Sequence, residues 1–246
     1  MTSLYTEQRV LGLLGGMSWE STAEYYRQLN RGVTARLGGL HSAQLLLYSV
    51  DFAGIAAAQA DGHWERASAL LCGAAERLAN AGAGAILLCT NTMHEVAEAI
   101  TAAVTVPLLH IVDPTGAALT AAGVRRAALL GTRFTMERPF WRSRLEGRFG
   151  IALDVPDAES RAEVHRIIYD ELCRGELRPT SRASLARIMH ALAARGAEAI
   201  ILGCTELALL VASDDAPVPI FDTTALHAEA GVNWLLEQAR LGGDCQ

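Results

Sequence analysis

Two stretches of this chain, Leu88-Cys89-Thr90-Asn91-Thr92 and Leu202-Gly203-Cys204-Thr205-Glu206, place thiol, hydroxyl, amide and carboxylate groups directly behind apolar runs. Set side by side from Gly82 and Gly196, the two stretches align without a gap, and Thr90 falls on Cys204. Short apolar runs of this kind read as buried strands, so both polar clusters stand at a strand's carboxyl end. A thiol there, beside a helix N-terminus, is expected to ionise more easily than a free cysteine, whose pKa is about 8.5, and can serve as a base. Asn91-Thr92 on one side and Thr205-Glu206 on the other offer hydroxyls, an amide and backbone donors suited to a carboxylate. A small amino acid held with its α-carbon between the clusters would meet Thr90 on one face and Cys204 on the other.

The remaining cysteines read differently. Cys89 precedes Thr90 by one residue, and a one-residue step along a strand turns the side chain to the opposite face. Cys89 should therefore look into the core. Cys72 and Cys173 read as small buried apolar groups in central elements, and Cys245 as an inert tail residue. Five cysteines with no CxxC pair and no Cys/His metal spacing predict neither a disulfide framework nor a metal site. All 21 basic residues are arginine. Without lysine there is no Schiff base for pyridoxal phosphate and no Walker P-loop. The Gly-Leu-Leu-Gly-Gly run lacks the full G-x-G-x-x-G fingerprint, so no dinucleotide is expected.

The chain of 246 residues is 51% hydrophobic and carries a net charge of -6, with no basic block. That balance argues against nucleic acid or an anionic membrane as partner and favours a small molecule. No apolar run approaches the ~20 residues of a membrane span, and nothing before Arg9 resembles a signal sequence. A cytoplasmic protein is expected.

The elements that must position these groups alternate. Val10 to Leu14 reads as a strand, Gly15-Gly16-Met17-Ser18 as a tight turn, and the segment carrying Tyr25, Tyr26 and Leu29 as a helix. Strands at 43–49, 85–89 and 106–110 follow, with helices at 64–81, 93–101 and 115–122. From Arg126 the pattern restarts. Leu14-Gly15 matches Leu130-Gly131, Thr90 matches Cys204, and Val106-Pro107 matches Val218-Pro219 at nearly constant spacing. This is an internal duplication. The second half adds a strand at 151–155, helices at 161–173 and 184–195, and a final helix at 227–240. The predicted fold is α/β: two pseudo-twofold-related lobes, each a four-stranded parallel sheet flanked by helices, with the active site in the cleft between them. The expected lobes are 1–113 with 222–246, and 114–221.

Gly15-Gly16-Met17-Ser18-Trp19-Glu20-Ser21-Thr22, Thr90-Asn91-Thr92-Met93-His94 and Gly203-Cys204-Thr205-Glu206-Leu207 together resemble the aspartate/glutamate racemase superfamily, over nearly the whole chain. The resemblance implies cofactor-independent exchange of the α-proton between two opposed groups, and a homodimer. The commoner pattern has a cysteine where this chain has Thr90. The chain is similar to a subgroup with a Thr and Cys pair that prefers acidic amino acids. The expected reaction is interconversion of L- and D-aspartate or glutamate. Cys204, polarised by Glu206, would act on one face, and Thr90 or a water on the other. Asn91, Thr92, Thr132 and Thr205, with the Met17-Ser18 turn, would cradle the α-carboxylate. The resemblance places a substrate contact at Gln59. Arg133 is either the partner of a side-chain carboxylate or a solvated loop charge.

Other residues read as local supports: His94 as a backbone cap, His110 and Asp113 as braces, and Asp51 as a turn cap. Two other readings use the same fold: a single-thiol decarboxylase, in which Cys204 protonates an enediolate, and a non-catalytic sensor of acidic amino acids.

Overall fold

In the computed structural model, residues 8–241 are described, and Cys245 lies outside them. The chain forms two compact units, 1–110 with 227–246 and 111–226, so the divisions fall a few residues from those expected.

The first unit contains β1 (Leu11–Gly15), α1 (Trp19–Leu37), β2 (Leu45–Ser49), α2 (Phe52–Ala60), α3 (Trp64–Asn80), β3 (Ala85–Leu88), α4 (Ala97–Ala103) and β4 (Leu108–Leu109). The second contains α5 (Val112–Ala121), β5 (Arg126–Gly131), α6 (Arg133–Glu137), α7 (Pro139–Phe149), β6 (Ala152–Asp154), α8 (Ala158–Arg166), α9 (Pro179–Ala194), β7 (Ala199–Gly203), α10 (Leu207–Leu210) and β8 (Ile220–Asp222). The last helix, α11 (Thr223–Leu241), begins in the second unit and returns to the first.

Both sheets are four-stranded and parallel, in the orders β2-β1-β3-β4 and β6-β5-β7-β8. The duplication extends to single hydrogen bonds. Ile86 donates its N–H to the Pro107 carbonyl at 2.9 Å, and Ile200 donates to Pro219 at 2.9 Å. Gly82 and Gly196 both turn into their strands at φ 99°, a conformation that glycine adopts without the steric cost of a Cβ.

Strand alternation distributes the core. In β3, Ile86 and Leu88 pack with α3, while Ala85 and Leu87, with Cys89 just past the strand, pack with α1 and α11. In β7, Ile200 and Leu202 face α8 and α9, while Ala199 and Ile201 face α5 and α7. Trp141 on α7 is fully buried in the latter layer, where loss of its ring would cost about 3–5 kcal/mol.

Several elements differ from expectation. Helix α2 was not foreseen, although Asp51 caps it by accepting the Ala53 N–H at 3.1 Å. Helix α7 was also missed, despite Pro139 at its start and Gly150 at φ 65° at its end. The expected 161–173 helix leaves α geometry after Arg166, passing through a π turn at Ile167–Glu171 and a 3-10 turn at Leu172–Arg174. There the buried Glu171 accepts from Arg166 Nη1 at 2.7 Å and from Ser181 Oγ at 2.5 Å, and the second contact ties the segment to α9. The expected 93–101 helix opens as a 3-10 turn, Thr92–Val96, before α4. Among the described residues no helix is long and apolar enough to cross a membrane.

Candidate active site

At the carboxyl end of β1 the chain turns sharply, and Thr22 fastens the turn. Its Oγ1 accepts the Gly16 N–H at 2.8 Å and donates to the Ser18 carbonyl at 2.9 Å. Ser18 caps α1 by accepting the Ser21 N–H at 3.3 Å, and Met17 is buried. Gln59, from α2, is also buried and donates Nε2–H to Met93 Sδ at 2.8 Å. Met17 and Met93 belong to one apolar cluster. The structure thus brings Met17, Gln59 and the segment after β3 together in the first unit.

Thr90 follows β3 and is half-buried, and Asn91 and Thr92 beside it are buried. The Thr90 carbonyl accepts from His94 at 2.8 Å, which assigns the proton to Nδ1. The His94 ring lies 4.5 Å from His110 and 5.7 Å from His227, centroid to centroid. Burial, with His110 and His227 beside it, holds the His94 imidazole well below its ordinary pKa. His94 is therefore a neutral backbone support for the Thr90 turn.

Cys89 points away from Thr90 into the α1 and α11 layer and is fully buried. Burial raises its pKa, so it rests as a thiol. Cys89→Ala is expected to leave kcat within about twofold and to cost about 1 kcal/mol in stability. Steady-state kinetics and urea unfolding read the two effects separately.

In the second unit, Thr132 caps α6 by accepting the Thr135 N–H at 3.2 Å. Arg133 is exposed; its N–H donates to His165 Nδ1 at 3.3 Å, and its guanidinium lies 5.2 Å from the centre of the Phe134 ring. Burial, followed by the Arg133 charge, lowers the His165 pKa. Thr205 accepts from Thr224 at 3.2 Å.

Cys204, one residue past β7, and Glu206 are both buried. The thiol donates to Glu206 Oε2 at 3.0 Å. Burial first, and the Glu206 charge second, push the Cys204 pKa well above its ordinary value. This corrects the expectation of an easily ionised thiol. Burial, together with a carboxylate inside hydrogen-bond distance, outweighs any benefit from the four-residue α10 that follows. Cys204 rests protonated, with a proton acceptor in place.

Sequence reasoning missed His165 and Tyr169. Their four-residue spacing on one helical segment was the available signal, and the rings lie 4.5 Å apart. Burial first, then the neighbouring Cys173, Cys204 and Glu206, raise Tyr169 to about 12. Cys173, on the 3-10 turn, is exposed, against the expected burial. Asp113 accepts from Arg144 at 2.6 and 2.7 Å and from Arg148 at 3.0 Å, all within the second unit. Among the described residues no group of three His, Cys, Asp or Glu side chains is placed to hold a metal.

Residues 14–231 match the Asp/Glu/hydantoin racemase family. The chain belongs to that family. It is an isomerase, a cofactor-independent amino-acid racemase. A solved Yersinia pestis protein assigned to the Asp/Glu racemases is 52% identical, with a TM-score of 0.88 over 93% of this chain and 99% of that one. An aspartate racemase homologue of Pyrococcus horikoshii is 33% identical, with a TM-score of 0.80 over 94% and 99%. The broad-specificity amino-acid racemase RacX of Bacillus subtilis is 27% identical over 92% of this chain and 98% of its own length. The two-sheet fold is shared with the glutamate racemase of Francisella tularensis, at 12% identity and a TM-score of 0.64.

Proposed function

We propose that this racemase interconverts the enantiomers of an acidic amino acid, aspartate or glutamate, with Cys204 and Thr90 serving opposite faces of the α-carbon. The observation that carries the reading is the buried thiol donating to Glu206 at 3.0 Å. A thiol with a carboxylate acceptor can work in both directions. As an acid, Cys204 gives its proton to the α-carbon, and the electron pair of the carbanion forms the new C–H bond. As a base, it first passes its proton to Glu206, and the thiolate then takes the α-proton. Either way, negative charge gathers on the substrate carboxylate, where backbone donors and the hydroxyls of Thr92, Thr132 and Thr205 would stabilise it. In this reading Asn91, Ser18 and Gln59 complete the cradle, and Arg133 meets the side-chain carboxylate.

Thr90 supplies a hydroxyl, which is too weak an acid to rest as an alkoxide, so it relays a proton through water. The two faces are therefore chemically unequal. Enantiomers are equally stable in achiral solvent, so kcat/KM is equal in the two directions, while kcat and KM separately differ.

The test is incubation with L-aspartate, L-glutamate and neutral amino acids in heavy water, with proton NMR and chiral chromatography. Exchange with inversion, fastest for the acidic pair, is expected. Exchange without inversion would leave a one-sided site, and binding without exchange would leave a sensor; either result overturns the proposal. Thr90→Cys places a thiol on the second face, and the two directional kcat values should converge.

A further inference from the structure

Gly131 and Gly203 are register partners across β5 and β7, so Thr132 and Cys204 leave neighbouring strand ends side by side. The segment running from α8 into the π turn carries His165 and Tyr169 to those ends. Tyr169 packs against the apolar cluster that contains Leu130, Leu202 and Cys204. His165 reaches the β5 side, where its Nδ1 accepts the Arg133 N–H at 3.3 Å. The two rings lie 4.5 Å apart. A π turn inside an α-helical segment is a departure that recurs at functional sites, and this one includes Tyr169.

The Arg133 contact selects the tautomer of His165. With Nδ1 accepting, the proton of the neutral ring sits on Nε2. Burial, then the Arg133 charge, lowers the His165 pKa and keeps that ring neutral near pH 7, and burial keeps Tyr169 a phenol. Each residue is half-buried and carries one hydrogen-bond donor. Neither the Nε2–H nor the phenol O–H has a hydrogen-bond partner among the described residues. Arg133 is exposed beside them, and its charge acts on both rings. One cation and two neutral donors suit a single carboxylate, whose oxygens only accept. An amide would turn its own N–H groups toward Arg133 and the His165 Nε2–H, neither of which can accept.

We propose that the His165 Nε2–H and the Tyr169 hydroxyl bind the side-chain carboxylate of the substrate together with Arg133, and so set the preference for acidic over neutral amino acids. The inference rests on the acidic-substrate reading and adds two specificity-determining residues to it.

The test compares kcat and KM for aspartate, glutamate, asparagine, glutamine and alanine in three variants. Tyr169→Phe removes the hydroxyl and keeps the ring that packs on His165. His165→Asn keeps an acceptor for the Arg133 N–H and removes the Nε2 donor, whereas His165→Gln keeps a donor near the Nε2 position. Tyr169→Phe and His165→Asn should each lower kcat/KM for aspartate and glutamate about tenfold or more, through KM, and leave the neutral amino acids within about twofold. His165→Gln should retain most of the acidic preference. Inhibition constants for glutarate and butyrate read the same preference without turnover: glutarate should weaken about tenfold in the first two variants, and butyrate should not. Equal losses for acidic and neutral ligands, or an acidic preference intact in both Tyr169→Phe and His165→Asn, would overturn this inference and leave the acidic-substrate reading standing. A wild-type enzyme without preference for aspartate or glutamate would overturn that reading, and this inference with it.

Discussion

Cys204→Ala is expected to lower kcat by about 10³-fold or more in both directions and to abolish α-proton exchange in heavy water. The substitution removes the only group among the proposed pair that can both give and take a proton near neutral pH. Cys204→Ser should fail almost as completely: a hydroxyl keeps the shape and the hydrogen bond to Glu206, but it is a far weaker acid than a thiol. KM should change little by comparison, because the groups proposed to bind the carboxylate are other side chains and backbone donors. Directional rates followed by circular dichroism, together with NMR exchange, measure both outcomes. Exchange at the wild-type rate in either variant would remove Cys204 from the mechanism.

Glu206→Gln is the second large effect, on the order of a hundredfold loss in kcat/KM. The amide keeps the size of the side chain but removes the acceptor for the thiol proton. The loss must be equal in the two directions when expressed as kcat/KM, since the equilibrium between enantiomers is fixed. Removal of the carboxylate also removes the second cause of the raised Cys204 pKa, while burial continues to hold the thiol up. The alkaline titration of Cys204 should therefore shift downward in the variant, from its raised position toward the ordinary range. Ultraviolet absorbance of the thiolate, with Cys204→Ala as the blank, reads that shift. A slow enzyme whose thiol titrates where the wild-type thiol does would assign Glu206 a purely structural role.

Much of this could be read from the chain because the determinants are local. Gly82 and Gly196 each turn a helix into a strand, and their identical φ reflects the same backbone requirement met twice. The inward direction of Cys89 follows from the two-residue period of a strand, which no distant contact alters. The Asp51 cap and the His94 contact with the Thr90 carbonyl span two and four residues, within reach of sequence reasoning.

The segments read less well are those in which distant contacts override local preference. The 161–173 segment has helical periodicity throughout, but the π turn appears where buried Glu171 meets Ser181 on another helix. Likewise α11, read as starting at His227, begins at Thr223, whose hydroxyl donates to the Leu202 carbonyl at 2.8 Å at the end of β7.

By itself, the sequence determined the doubled α/β plan, the placement of Thr90 and Cys204 at equivalent strand ends, and the exclusion of lysine-dependent chemistry. These depend on residue identity, period and spacing. Only the tertiary structure decided the protonation state of Cys204. A thiol at a strand end can be raised or lowered in pKa, and the sign is set by how deeply the fold buries it and where it aims the Glu206 carboxylate. The exposure of Trp19, Tyr26 and Leu47 on one face of α1 and β2 was decided the same way, because a residue's exposure is the sum of everything packed around it.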